Sequence, residues 1–292
     1  MTSQTKPVRI FLLGFSQAQN PASTYRLMDL LESAGLEVNA SAWIEQGIAA
    51  NPLSFVQRAE EFSRALTEGA DWILDVTGGD GANGVLDHLD YEGYKNSSAI
   101  LAGYSDVSCV LNALAMKTDR PALLFQASGN ENEKDLLQLL KKESDVLASP
   151  VDENGQSVYG KDPILFGGNV RSFLKLAGTE YLPPVQGKSL FLEACSTSWI
   201  LFVSYLVQLE QMGVLAACSR LIIGQLTAID SLPAAAFGKE NLSLVDRLRK
   251  EGIALPEQTV RTLEVGHSRS ARALWIGKRP ACFGQAGSEE RN

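Results

Sequence analysis

Ser105 stands in "LAGYSDVSCVLNALAM", residues 101–116, between an apolar run and a helical pattern, where its hydroxyl could act as a nucleophile. A strand-to-helix turn suits that chemistry. The free N–H groups and positive dipole end of the following helix can receive a developing oxyanion, and the turn lifts the side chain clear of the sheet. Serine is equally a favoured helix N-cap. Spacing alone favours the cap, because the G-x-S-x-G elbow is incomplete: Gly103 and Ser105 fit, but Val107 holds the place of the second glycine. A nucleophile also needs a base, and the chain has two histidines. His88, in "GVLDHLD", falls on a helix face and reads as a surface or packing residue. His267 follows Gly266 after the strand-like "TVRTLEV", in a loop where an imidazole is free to move protons, so it is the better partner. A carboxylate that orients the imidazole would complete the set. Asp75, Glu193 and Glu264 all lie at strand ends, and spacing does not choose among them.

These residues need elements to hold them. The first half alternates short apolar runs with helical periodicity: a strand over 8–13, then Leu27, Leu30, Leu31 and Ala34 on one helix face, closed at Gly35. Asn51 reads as a cap and Pro52 as the first helical position, with Phe55, Ala59, Phe62 and Leu66 as the buried stripe and Gly69 as the stop. Strands over 72–76, 99–102 and 122–125 alternate with a short helix through Val85 and Leu89, a helix from Val107 and another over 136–140. Such alternation implies a parallel sheet covered by helices on both faces, with ligands at the carboxyl ends of the strands. The glycine-rich "TGGDGANG", Thr77 to Gly84, leaves the strand before Ser105's. It lacks the G-x-G-x-x-G and P-loop patterns and reads first as a tight turn, yet it can line one crevice with the Ser105 turn.

Between Glu143 and Pro163 the composition turns polar and loses its period, which divides the chain into an α/β domain over 1–145, a linker over 146–163 and a smaller mixed α+β domain over 164–282. The second half reads as a helix over 170–176, a strand over 190–192, a long helix over 200–212, a strand over 221–223, a helix over 242–249 and strands over 260–265 and 273–276. The polar tail 283–292 reads as frayed.

Composition narrows the partners. A formal net charge of -8 across 292 residues, without a Lys/Arg cluster, argues against a nucleic-acid surface. The first apolar run is too short for an export signal, and no run of about 18 apolar residues exists to span a membrane. Cys109, Cys195, Cys218 and Cys282 are scattered without CxxC spacing, as reduced core thiols would be, and point to the cytoplasm and away from a zinc site. No metal or other cofactor is expected; a small peptide is.

Together these segments resemble the LD-carboxypeptidase family of serine peptidases. "DWILDVTGGDGANGVLDHLD" is similar to the family's strand, double-glycine loop and helix, "AGYSD" to its nucleophile motif, "FGGNVRSFLKLAGTEYLPPVQGKSLFLEA" to its GGN and acid-bearing segment, and "VGHS" to its histidine loop. The resemblance spans roughly 8–280 and implies a flavodoxin-like or Rossmann-like N-terminal domain with a C-terminal domain supplying acid and base. It makes Ser105 the nucleophile, Glu193 the orienting acid and His267 the base, with an oxyanion hole from the N–H of Asp106 and one from the Gly79 loop. It also implies a homodimer that releases a terminal D-amino acid from a cell-wall tetrapeptide during peptidoglycan recycling. The alternatives are cleavage of an aminoacyl-nucleotide amide, as in the family's microcin C immunity peptidases, and a relative that binds peptide without cleaving it. The chain departs from the family pattern at Thr77 and Asp80, where Arg and Tyr are usual. Ala194 stands where an acid usually follows the catalytic Glu, and Gln126, Ala127 and Ser128 replace His-Gly-Pro. These positions bear on substrate recognition more than on the triad.

Overall fold

The computed structural model describes residues 6–160, 164–233 and 242–280. Its strands are β1 (Arg9–Leu13), β2 (Ala18–Gln19), β3 (Glu37–Ala40), β4 (Trp72–Asp75), β5 (Thr77–Gly78), β6 (Ile100–Gly103), β7 (Ala122–Leu124), β8 (Ile164–Asn169), β9 (Ser189–Ala194), β10 (Arg220–Leu226), β11 (Thr259–Arg261) and β12 (Leu274–Lys278). Ten of them form one sheet in the order β11-β10-β9-β8-β12-β7-β6-β4-β1-β3, and β2 pairs with β5. β4, β6 and β9 are buried along their whole length, as strands covered on both faces must be, which is why they read as continuous apolar runs. From β1 the chain steps outward to β3 and then crosses to β4 on the other side, so the strand order reverses there and the carboxyl ends part to leave a crevice.

The mixed α/β class and the strand-helix alternation of the first half match the sequence pattern, and three details differ. The helix after residue 51 is Phe55–Thr67, and its cap is Ser54, which exchanges hydrogen bonds with Gln57 in a capping box. Asn51 is turned away from that helix and donates to the carbonyls of Gly14 and Ser16. β3 and the short helix Tyr91–Asn96 carry too few apolar residues to register as periodic. β8 escapes detection because Gly167 and Gly168 interrupt its apolar run.

The second half is more regular than a mixed α+β order suggests. β8, β9, β10 and β11 are parallel neighbours, a second parallel run. β12 joins the two runs and is antiparallel to both β7 and β8. Reversing direction twice leaves β7 and β8 pointing the same way, so every parallel strand of both halves presents its carboxyl end at one edge. Residues 146–160, within the expected linker, are packed: Leu147, Ala148, Val158 and Tyr159 are buried, and the Leu147 carbonyl accepts from the Ala273 N–H just before β12. β11 ends at Arg261, short of the expected 260–265, and the Thr262 N–H then reaches the Ile223 carbonyl. The expected tail and Cys282 lie outside the described residues. Cys109 and Cys218 are buried thiols, whereas Cys195 is exposed, because it follows the end of β9.

One helix, Ser108–Thr118, is buried from Ser108 to Ala115 and packs against strands of both halves. Two of its buried polar residues find partners in β8. Asn112 is fully buried, donating to the Gly167 carbonyl at 2.6 Å and accepting from the Gly167 N–H at 2.8 Å. Ser108 Oγ accepts from the Asn169 N–H at 3.0 Å. Gly167 and Gly168 have φ of +120° and +131°, and a Cβ would strike the Phe191 carbonyl at the first and Ser108 Oγ at the second. Only glycine permits both the conformation and the approach.

Candidate active site

Ser105 follows β6 with Tyr104 between them and opens a 3₁₀ turn, Ser105–Val107, that runs into the buried helix Ser108–Thr118. Its φ is +55°, a left-handed conformation that non-glycine residues adopt at a cost and that tight functional turns retain. The preceding residue, Tyr104, is extended and occupies the cap position, and no side-chain bond caps the turn or the helix. Ser105 is therefore not the cap that spacing favoured. Its half-buried side chain lines a narrow cleft together with Tyr104, Gln126, Glu193, His267 and Arg272.

The turn is anchored by the next residue. The fully buried carboxylate of Asp106 accepts from the Ser16 hydroxyl at 2.9 Å, from the Ala82 N–H at 2.7 Å and from the Ser172 hydroxyl at 3.4 Å, and it pairs with the Lys175 ammonium. Ser172 lies on the helix Val170–Leu174, capped by Asn169 at the end of β8, and Lys175 ends it. The Ser105 turn is thus tied to the second half through side chains buried at the join. The glycine loop is tied to the same helix: Asp80 bonds Arg171 at 3.0 Å and Lys175 at 2.9 Å, and the Gly79 carbonyl accepts from Arg171 at 3.1 Å. The Lys175 hydrogen bond, above all, holds the Asp80 carboxyl below the usual carboxylate range. Thr77, the other departure in this loop, donates its N–H and hydroxyl to Asp75 at 2.7 and 2.6 Å.

The three candidate acids part company here. Glu193, at the end of β9, lies 2.6 Å from His267 through Oε2 and Nδ1, and both side chains are largely buried. Asp75 accepts from Phe15 and Thr77; burial pushes its carboxyl up to about 7 against those hydrogen bonds. Glu264 accepts from the Val151 N–H at 2.7 Å and faces Arg272 at 3.8 Å. His88 is exposed at the end of the 3₁₀ helix Ala82–His88.

A carboxylate on Nδ1 fixes the neutral imidazole with its proton on Nδ1 and its lone pair on Nε2. Nε2 is buried and holds no hydrogen bond, Ser105 Oγ included. Free enzymes often keep that bond open until substrate arrives. Burial disfavours the imidazolium, but the charge and hydrogen bond of Glu193 outweigh it, so the His267 pKa is raised. The Tyr104 ring rests against the imidazole with centroids 5.7 Å apart, and burial raises its phenol pKa to about 12. Ser105, Glu193 and His267 are therefore brought together. Asp106 adjoins them, and its N–H belongs to the first turn, where helical N–H groups lack internal acceptors. Gly79 is not among the residues lining the cleft.

Several positioning residues carry no readable sequence signal. Gln225 on β10 accepts from the Ser268 N–H at 2.8 Å and donates to the Leu263 carbonyl at 2.7 Å, bracketing His267 on both sides. Ser16 and Lys175 act on Asp106 from distant parts of the chain. Asn112 could have been found as the polar residue within the apolar run from Val110 to Ala115.

Comparison with known proteins follows the same two halves. A family model described as the LD-carboxypeptidase N-terminal domain matches residues 10–124, and one described as the LD-carboxypeptidase C-terminal domain matches residues 163–281. A Treponema pallidum protein provisionally named a carboxypeptidase is 29% identical over 207 residues, 61% of this chain; the match spans 58% of that relative's length. The microcin C7 self-immunity protein of Escherichia coli is 21% identical over 257 residues, 73% of this chain and 75% of that protein. The solved structure of a muramoyltetrapeptide carboxypeptidase from Oxalobacter formigenes superposes with a TM-score of 0.71 at 21% identity, covering 92% of this chain and 93% of that one. No helix among the described residues is long and apolar enough to cross a membrane.

Proposed function

The chain belongs to the LD-carboxypeptidase family, and on that footing we propose that it is a serine peptidase that hydrolyses an L,D-amide bond and releases a C-terminal D-amino acid from a murein tetrapeptide. The observation that carries this reading is the 2.6 Å Glu193–His267 contact, which leaves a buried, unpartnered Nε2 in the cleft that Ser105 lines. Nε2 takes the Ser105 proton as Oγ attacks the scissile carbonyl carbon. The N–H of Asp106, in the first turn, receives the oxyanion. The imidazolium, held by Glu193, passes its proton to the leaving amine, and the D-amino acid departs. A water then gives a proton to His267 as its oxygen attacks the acyl carbon, and His267 returns that proton to Ser105 Oγ as the ester bond breaks. Cytoplasmic peptidoglycan recycling by a homodimer is the setting we propose for this reaction.

The two aromatic residues at the cleft favour peptide over aminoacyl-nucleotide. Phe125 is buried, and the partly buried Tyr104 ring lies tilted against His267, so the cleft offers no pair of open aromatic faces to sandwich a base. The test is incubation of the purified protein with a panel of muropeptides and aminoacyl-nucleotide analogues, with mass spectrometry of released amino acids. D-alanine released from a tetrapeptide, and not by Ser105→Ala, is the expected result. Release from the nucleotide analogues alone would replace the murein substrate, and release from neither would leave the peptidase reading without support.

A further inference from the structure

We propose that Arg272 receives the C-terminal carboxylate of the substrate and so makes this an exopeptidase site; the proposal rests on the peptidase reading above. An enzyme that removes one terminal residue must distinguish a free carboxylate from a continuing chain. A carboxylate drawn from water into a partly buried cleft needs a positive partner there. Among the described residues lining the cleft, Arg272 carries the one fixed positive charge. His267 cannot serve, because its base function requires it to start neutral. The nearby cations of the second half are engaged elsewhere: Arg171 on Asp80, and Lys175 on Asp80 and Asp106.

Arg272 is held without being used up. Its backbone N–H donates to the Glu264 carbonyl at 2.7 Å, and the next N–H, of Ala273, donates to Leu147. Its Nη1 donates to the carbonyls of Val146 and Ser149 at 3.2 and 3.4 Å, which fixes one side of the guanidinium. The nearest carboxylate, Glu264, lies 3.8 Å from Nε, beyond hydrogen-bond distance, and its other oxygen already accepts from the Val151 N–H. Among the described residues nothing binds Nη2, and the side chain is one-third exposed, at 33%. With Nη1 anchored and Nε paired at long range with Glu264, the Nη2 donors are left for a carboxylate. The reach is appropriate as well. One residue separates the scissile carbonyl from the terminal carboxylate, about 4 Å along the backbone, so the carboxylate must be received within the cleft that holds the nucleophile.

The experiment compares kcat/KM on an LD-peptide ending in a free carboxylate with that on the same peptide ending in a carboxamide, for the wild type, Arg272→Gln and Arg272→Lys. Melting temperature and fluorophosphonate labelling of Ser105 are read on the same preparations. The wild type should favour the free acid. Arg272→Gln should lose on the order of 10²-fold on the acid, as expected for a charge-assisted hydrogen bond, and much less on the amide, which offers only a neutral acceptor. Arg272→Lys should recover part of the loss, because it keeps the charge without the fork. Equal losses on acid and amide would reduce Arg272 to a structural support. Intact labelling of Ser105 with no preference between acid and amide in the wild type, whether from equal cleavage or none, would overturn the carboxylate assignment alone. Failure of the reagent to label Ser105 would overturn the serine-peptidase reading on which it rests.

Discussion

Glu193→Gln removes one charge from the site at almost constant volume. Oε2 of Glu193 lies 2.6 Å from Nδ1 of His267, with the two side chains 2% and 10% exposed. With charge centres about 4 Å apart and an effective dielectric near 20, the attraction between the carboxylate and the imidazolium of the transition state is about 4 kcal/mol. The amide keeps a neutral hydrogen bond to Nδ1, which restores about 1 kcal/mol. The remaining 3 kcal/mol or so corresponds to a loss on the order of 10²-fold in kcat. A second consequence has a definite sign. His267 acts as a base only when neutral, and in the wild type Glu193 raises its pKa against the opposing effect of burial. Without that charge only burial remains, so the acid limb of kcat/KM should move from above the ordinary imidazole value of 6.5 to below it. The assay is initial rates on a cleavable LD-peptide across pH, with thermal melting on the same preparations. A kcat within about threefold of wild type together with an unmoved acid limb would refute the orienting role. A change confined to the melting temperature would make Glu193 structural.

His267→Ala removes the proposed base and should cost more, on the order of 10⁴ to 10⁶ in turnover, while the protein still folds; near-normal turnover would leave His88 or a lysine to be tested as the base. Asn112→Ala strands both backbone groups of the buried Gly167 and should destabilise the protein by about 2–6 kcal/mol in denaturant unfolding, at about 1–3 kcal/mol per group. A shift below about 1 kcal/mol would mean that the glycine pair is held by something else. Asp75 has a pKa of 3.8 unfolded and about 7 folded, so the folded state holds its proton more tightly. Its stabilising contribution is complete below about pH 4 and is lost as pH rises through 7, so Asp75→Asn should flatten the fall in melting temperature across that window; an unchanged fall would assign the titration to another group. The His267–Glu193 pair has the same sign, and the stability it adds should be present below pH 6.5 and lost as pH rises through the raised folded value.

Local pattern determined much of this protein. Apolar runs bounded by turn residues marked β1, β4, β6 and β9, because a strand covered on both faces must be apolar throughout. The switch at Val107 placed Ser105 on a strand-to-helix turn, and residue type limited the base to two histidines. The choices that make a site were left to the tertiary structure. Asp75, Glu193 and Glu264 are equivalent as acids at strand ends. They differ only in what faces them, and the partner that distinguishes Glu193 lies 74 positions away. Gln225 on β10, the strand beside β9, holds that partner's loop in place, and Ser105 reaches the same edge because β12 enters antiparallel between β7 and β8. β8 was hidden for a related reason: its glycines are there for the close approach of Asn112 and Ser108, a demand made by a helix more than 50 residues earlier. Periodicity records which face of an element is buried. Hydrogen-bond partners across the fold are selected by proximity in space, which leaves no period along the chain.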